Sequence, residues 1–153
     1  MEHSDQLYQI AFSQLHGIGP IRARRILKLL NHPRDFFELN YSALHQLTSI
    51  PIAQLEKTER TNALWRAQGQ LPYLANENLS YHFITDPSYP ERLRHCSDAP
   101  LGLFYRGSTP SWQQPRCIAV VGTRQQTAYG QHLVEEFLAG LPKDIVVISG
   151  LAL

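Results

Sequence analysis

The chain is poor in the residues that mark secreted, metal-binding or membrane proteins. Its 153 residues include two cysteines, Cys96 and Cys117, which are too few for a disulfide framework or a cysteine-based zinc site. No apolar run approaches the roughly 18 residues of a membrane-spanning helix, and the polar N-terminus lacks the apolar core of a secretory signal. We therefore expect a soluble, cytoplasmic protein without a metal site.

Catalytic groups and cofactor fingerprints are also missing. No carboxylate pair, Ser/His/Asp set or Cys/His set stands out, and Glu135 and Glu136 fall on the expected solvent face of a helix. The dinucleotide fingerprint G-x-G-x-x-G is absent because no glycine lies between Gly122 and Gly130. No lysine follows Gly130, as a P-loop would require. The sequence thus predicts a binding protein rather than an enzyme, and no cofactor.

The first feature that is present is a glycine hairpin followed by a basic helix. Residues 15–27 read LHGIGPIRARRIL and resemble a helix–hairpin–helix motif. Gly17 and Gly19 allow a tight turn, and backbone N–H groups at the start of the next helix can face a phosphate. Arg22 and Arg25 add positive charge that suits DNA. A plain helical hairpin with its arginines on a solvated face explains the same pattern, and both interpretations stay open.

The pattern of apolar residues predicts an α/β protein with two domains. Helical periodicity predicts a small all-α domain over residues 1–78, with Ser42 as a helix cap. Its last helix is expected to be interrupted near Gly69 and Pro72. Trp65 is expected to be a core anchor rather than a base-stacking platform. Short strand-like runs and proline-rich turns predict a second domain over residues 79–153.

A strand, a glycine turn and a helix follow one another in Cys117–Gly130, whose sequence is CIAVVGTRQQTAYG. The apolar run suits a parallel strand buried on both faces, Thr127 is a candidate helix cap, and residues 145–149 predict the next parallel strand. At the turn, backbone N–H groups, the Thr123 hydroxyl and the Arg124 guanidinium form a set that binds phosphate without supplying a nucleophile or a base. A glycine that merely permits the turn, beside a solvated arginine, is the simpler alternative.

Two blocks of sequence carry a resemblance to a known family. The first is DPSYPERL at residues 86–93, with Asp98, Pro100, Leu101 and Gly107 behind it. The second comprises IAVVGTR at residues 118–124, Tyr129 and Gly130, and VVISGLA at residues 146–152. Together they are similar to the DprA family of DNA-processing proteins, also called Smf, over roughly residues 80–153.

The resemblance implies an extended Rossmann-like domain that binds single-stranded DNA and is not an enzyme. The family protects incoming DNA during natural transformation, which is the basis of competence, and helps to load the recombinase RecA onto it. By position, Gly122, Thr123 and Arg124 match the family's turn for the DNA backbone. Ser149 and Gly150 match the neighbouring turn at a strand end.

The chain departs from the family pattern at its end. In the family, the Ser-Gly-Leu-Ala run continues through a Gly-Ile-Asp sequence and most of a sheet, whereas here Leu153 follows Ala152. We expect a fragment with an incomplete Rossmann-like parallel sheet, impaired DNA binding and doubtful dimerisation; a naturally short protein is the alternative. Two other functions stay open: a nucleotide-binding Rossmann-like protein and a protein-interaction module that uses the helical domain.

Overall fold

The computed structural model describes residues 2–107, 116–123 and 125–150, with the backbone alone for residues 2–4. Within these ranges, helices and small sheets occur together, as the α/β prediction requires. The elements in chain order are α1 (Glu2–Ser13), α2 (Pro20–Leu27), α3 (Asp35–Glu38), α4 (Tyr41–Thr48), α5 (Ile52–Glu56), α6 (Arg60–Asn76), β1 (Leu79–Phe83), α7 (Glu91–Arg94), β2 (Gly102–Arg106), β3 (Cys117–Val120), α8 (Ala128–Ala139) and β4 (Val146–Ser149).

The chain divides into two compact units, Met1–Gly107 and Ser108–Leu153. The first unit therefore contains a hairpin-like pair of strands in addition to the helices. Strands β1 and β2 are antiparallel, with Leu79 opposite Arg106, and β1 contacts both α1 and α6. The sequence places a domain boundary after Asn78, which stays a prediction, whereas the compact units divide after Gly107.

The core of the first unit joins the helices to the two strands. Phe12 and Phe36 are fully buried and meet edge to face, with their ring centroids 5.4 Å apart. Phe83 of β1 and Tyr89 are also fully buried, and the Tyr89 hydroxyl donates a hydrogen bond to the Pro100 carbonyl at 2.7 Å. This continuous core fixes α1, α6 and the turn between α1 and α2 relative to one another.

Two local predictions for the first unit are wrong. Asn40, not Ser42, caps α4, because its Oδ1 accepts a hydrogen bond from the Ala43 N–H at 2.8 Å. Neither Gly69 nor Pro72 interrupts α6, which continues from Arg60 to Asn76. Proline removes one helical hydrogen bond, and both Pro72 and Gln68, whose carbonyl loses its partner, are exposed, so that water can replace the missing bond.

The prediction of Trp65 as a core anchor is also wrong, because its side chain is 76 % exposed. The buried stripe of α6 consists of Ala63, Ala67 and Leu74, which face α1 and the core. At 100° per residue, Trp65 points nearly opposite to Ala63 and Ala67. The helix therefore buries its small residues, which allow close packing on α1, and presents its largest side chain to solvent.

The second unit forms one βαβ arrangement in its described part. Strands β3 and β4 pair in parallel, with Cys117 opposite Val146 and Val120 opposite Ser149, and α8 connects them. The cap of α8 confirms the prediction: Thr127 Oγ1 accepts a hydrogen bond from the Gly130 N–H at 3.1 Å.

The predicted burial of these strands on both faces is wrong. No described residue of the second unit is buried, and Phe137, Val147 and Ile148 are each 42 % to 50 % exposed. One helix and two strands bury only part of their apolar faces against each other, because each layer needs another layer on its far side. The described part of this unit is thus a scaffold that presents a turn rather than a closed core.

Candidate functional site

The turn residues of the second unit line one concave pocket. Gly122 and Thr123, which follow β3, and Ser149 and Gly150, at the end of β4, share it with the first turn of α8 around Thr127. We call this region, of about 450 Å³, the strand-end pocket. Arg124, the fifth predicted site residue, lies outside the described residues.

The register of the two strands explains why these residues meet. Val120 and Ser149 are paired at the carboxyl ends of parallel strands, so the chain segments that follow them leave the sheet at the same edge. The amino end of α8 reaches the same edge, since Gly130 also lines the pocket. A crevice at the carboxyl ends of parallel strands, next to a helix N-terminus, is the usual place for an anionic ligand in an α/β sheet.

Two glycines of the pocket, Gly122 and Gly150, are not required sterically by the described residues around them. Neither Gly122 nor Gly150 has a φ in the left-handed region, and an added Cβ would meet nothing within 4 Å at either position. The turn could therefore be made by other residues, which argues against the alternative that Gly122 merely permits it. What the two glycines do provide is open space directly above the backbone.

The Thr123 hydroxyl has a role inside the turn. Its Oγ1 donates a hydrogen bond to the Gln125 carbonyl at 2.9 Å, so its proton is engaged and only its acceptor lone pairs remain. A phosphate oxygen needs donors, and in this arrangement they are the backbone N–H groups of the turn and the first turn of α8. Thr123 therefore shapes the turn, and it donates to a ligand only if it gives up its bond to Gln125.

Electrostatically, the strand-end pocket depends on groups beyond its described lining. Among the described residues, the lining contains no charged side chain. The positive end of the α8 macrodipole, at Thr127, adds a weak preference for anions. The described residues also contain no group of three or more His, Cys, Asp or Glu side chains that could hold a metal ion. A formal positive charge at the turn can come from Arg124, which follows Thr123 in sequence.

The four predicted hairpin residues of the first unit also lie together. Gly17, Gly19, Arg22 and Arg25 line a pocket of about 420 Å³, which we call the hairpin pocket. Gly17 has a φ of 71°, a conformation that favours glycine. Gly19 precedes Pro20 at the start of α2 and, as a glycine, offers no side chain to cap the first N–H groups of the helix.

The arginines of α2 divide into two groups that the sequence does not distinguish. The Arg24 guanidinium donates hydrogen bonds to the carbonyl groups of Arg94, at 3.0 Å, and Cys96, at 2.5 Å, and so packs the hairpin onto the region around α7. Arg22 and Arg25 are exposed and line the hairpin pocket. Arg24 is therefore a structural residue, and no local signal could reveal this, because its partners lie about 70 residues away.

No helix in residues 2–107, 116–123 or 125–150 combines the length and apolar character needed to cross a membrane.

Known proteins resemble this chain most specifically in its second half. Residues 80–153 match the family described as DNA recombination-mediator protein A. The DNA processing protein DprA of Streptococcus pneumoniae is 41 % identical over 69 residues, which cover 45 % of this chain and 24 % of that protein. Protein Smf of Synechocystis is 27 % identical over 161 residues, which cover 99 % of this chain and 39 % of that protein.

A third relative, the DNA processing protein DprA of Bacillus subtilis, is 37 % identical over 70 residues, or 45 % of this chain and 24 % of that protein. The chain thus spans 24 % to 39 % of the length of these relatives. No solved structure gives a significant match. The matched segment contains both halves of the strand-end pocket, and over residues 80–153 this chain is similar to the DprA/Smf family of DNA-processing proteins.

Proposed function

We propose that this chain binds single-stranded DNA and that the strand-end pocket receives a phosphate of its backbone. One observation carries the proposal: Gly122, Thr123, Ser149 and Gly150 meet at the amino end of α8, inside the segment that matches the DNA-processing family. The two glycines leave room for a phosphate to approach the backbone closely. Arg124 supplies the positive charge that the described lining lacks.

The hairpin pocket is the second DNA contact in this proposal. The uncapped N-terminus of α2 offers backbone N–H groups, and Arg22 and Arg25 supply two positive charges beside them. Contacts of this kind hold the DNA backbone without reading its sequence. The Arg24 side chain takes no part, because it is engaged with backbone carbonyl groups of its own unit.

The proposal extends to the setting in which such binding acts. A binding protein of this family would work in the cytoplasm, protect incoming single-stranded DNA during natural transformation, and help to load RecA onto it. It would do so without catalysis and without a cofactor, because DNA binding here requires only donors and positive charge. The family description, which names a mediator of DNA recombination, supports this setting.

Fluorescence anisotropy with a labelled oligothymidylate tests the proposal with two matched arginine variants. Arg124→Ala is expected to weaken binding by about tenfold or more, because a charged hydrogen-bond donor to phosphate is lost. It should also reduce the slope of log K against log salt by about 0.7, the value for one phosphate contact on a single strand.

Arg116→Ala is the control in the same unit. Arg116 precedes β3, at the opposite end of the strand from the pocket, and pairs with Asp144 at 2.7 Å. Its replacement is expected to change the affinity less than twofold. If the two variants bind equally well, or if the wild-type chain does not bind the oligonucleotide, the proposed site is wrong.

A mononucleotide-binding function is the alternative that one observation favours. A pocket of about 450 Å³ falls in the range of small-molecule sites. Competition separates the two functions: unlabelled oligothymidylate should displace the labelled strand at concentrations at least 100-fold below those of thymidine monophosphate. Displacement at equal concentrations of phosphate groups would favour the nucleotide-binding alternative.

A further inference from the structure

Helix α6 presents two aromatic side chains on one exposed face. Trp65 is 76 % exposed and Tyr73 is 57 % exposed. They are eight residues apart with Gly69 midway, a spacing that places all three on one side of the helix over about 12 Å of its length. We call the surface formed by Trp65, Gly69 and Tyr73 the α6 platform.

The folding of α6 does not explain why residue 69 is a glycine. It lies in the interior of α6, where glycine is less favourable than alanine. Its φ is not in the left-handed region, and an added Cβ would meet nothing within 4 Å. Its effect is a depression of about 400 Å³ that Trp65, Arg66 and Gln68 also line. A flat ring could enter this depression and lie against the exposed indole.

The charges around the α6 platform are compatible with the binding of a polyanion. No acidic residue occurs in Arg60–Asn76. The carboxylates just outside the helix are matched by arginines: Glu59 lies 3.9 Å from Arg66, and Glu77 pairs with Arg106. Phosphate groups would therefore meet no unmatched carboxylate of α6 or of the two residues that flank it.

Helix α6 contacts the segment that leads into the hairpin. The Arg66 guanidinium donates a hydrogen bond to the Gln14 carbonyl at 3.1 Å, and the Gln14 side chain donates one to Gln70 at 2.8 Å. Gly17 follows Gln14 by three residues, and three residues of chain span at most about 11 Å. A strand whose phosphate lies in the hairpin pocket thus has its neighbouring nucleotides within reach of α6.

We propose that the α6 platform stacks bases of a single-stranded DNA whose backbone lies on the hairpin pocket. The inference rests on the proposed function, because it adds a base-stacking surface to a DNA-binding chain. Aromatic side chains beside a phosphate-binding groove hold single strands in this way, and the stacking tolerates any base. The platform contributes affinity that does not depend on salt, whereas the two pockets contribute the part that does.

The fluorescence of Trp65 reports stacking directly. In full-length chain with Trp112→Phe, Trp65 is the only tryptophan. Oligothymidylate should quench its emission, and an abasic oligonucleotide of equal length and charge should not, because it has phosphates but no rings. Equal quenching by both, or by neither while anisotropy shows that the oligothymidylate is bound, would overturn the inference.

Affinity measurements separate stacking from folding. Trp65→Ala should weaken binding to oligothymidylate by about fivefold or more, with an unchanged salt slope. Trp65→Phe should retain most of the affinity, and Leu47→Ala, at a 41 % exposed position on α4, is the control for loss of an exposed apolar side chain. Gly69→Gln should weaken binding while the thermal midpoint stays the same or rises, because it fills the depression and favours the helix.

The outcomes distinguish this inference from the proposed function. If Arg124→Ala weakens binding and Trp65→Ala does not, the pocket stands and the α6 platform is wrong. If the wild-type chain does not bind oligothymidylate, both are wrong. If Trp65→Ala instead converts a dimer seen by sedimentation into a monomer and leaves DNA affinity unchanged, the surface serves protein contact and the inference is overturned.

Discussion

The two units of the chain use similar apolar residues in different ways. Among the described residues, every buried apolar side chain lies between Ile10 and Leu101, in the first unit. In the second unit, Val121 is 90 % exposed and Phe137 is 50 % exposed. The difference shows that apolar composition decides which elements form, whereas burial depends on how many layers pack together. The first unit is stabilised by its own buried core. In the second unit, the turn after β3 is held by elements whose apolar faces are only partly covered.

The largest expected effect compares one phenylalanine from each unit. Phe36→Ala should lower the free energy of unfolding by about 3–5 kcal/mol, because a fully buried ring that contacts Phe12 is lost. Phe137→Ala should cost about 1 kcal/mol, since half of its surface is already in water. Urea denaturation followed by far-UV circular dichroism measures both. Equal losses in the free energy of unfolding would show that the exposed face of α8 is covered in solution. The two units would then not differ in how they bury apolar residues.

A second comparison uses one glycine from each unit. In Gly102→Ala, the new Cβ would overlap the Tyr81 ring, which is held in the core with its hydroxyl 3.3 Å from Ser13 Oγ. The strain should cost about 1–3 kcal/mol. Gly122→Ala should change stability by no more than about 0.5 kcal/mol, because the space around its Cβ is open. Thermal unfolding midpoints of the two variants measure these losses of stability. A large loss of stability in Gly122→Ala would show that this glycine has a structural role.

The smallest expected effect is a loss of stability of the first unit at alkaline pH. Burial raises the pKa of Tyr81 and that of Tyr89, both in the first unit, above the ordinary tyrosine value. Tyrosines of the unfolded chain ionise first as the pH passes about 10, so stability is intact below that pH and falls above it. The slope should reach at most about 1.4 kcal/mol per pH unit for Tyr81, which is the value for one proton.

Tyr81→Phe removes one of these groups and should make the alkaline loss of stability shallower. Urea midpoints measured from pH 8 to pH 11 provide the slope for the wild-type chain and the variant. A slope that the variant leaves unchanged would contradict the assignment of the alkaline loss to the burial of Tyr81.

Local chemistry was the part of the structure that the sequence predicted best. Thr127 caps α8, and Pro20 stands in the first turn of α2, because both effects involve residues within one helical turn. The order of strand, turn, helix and strand around Gly122 was predictable for the same reason. The gathering of Ser149 and Gly150 with that turn follows from parallel pairing, which the apolar runs indicated.

Long-range packing decided the features that the sequence did not predict. Trp65 looked like core material by its size, yet Ala63 and Ala67 occupy the packed side of α6. The separate role of Arg24 depends on carbonyl groups about 70 residues away. Each of these choices is made by contacts that no local pattern contains.

The packing of β1 and β2 has a consequence for how such proteins can be recombined in evolution. The match to the family description begins at residue 80, one position inside β1, yet β1 packs on α1 and α6, and Arg24 binds the carbonyl groups near α7. The helices that precede residue 80 therefore cannot be exchanged without affecting the strands that they pack against. An exchange at the start of that match would divide one compact unit, whereas a junction after Gly107 would keep the unit whole.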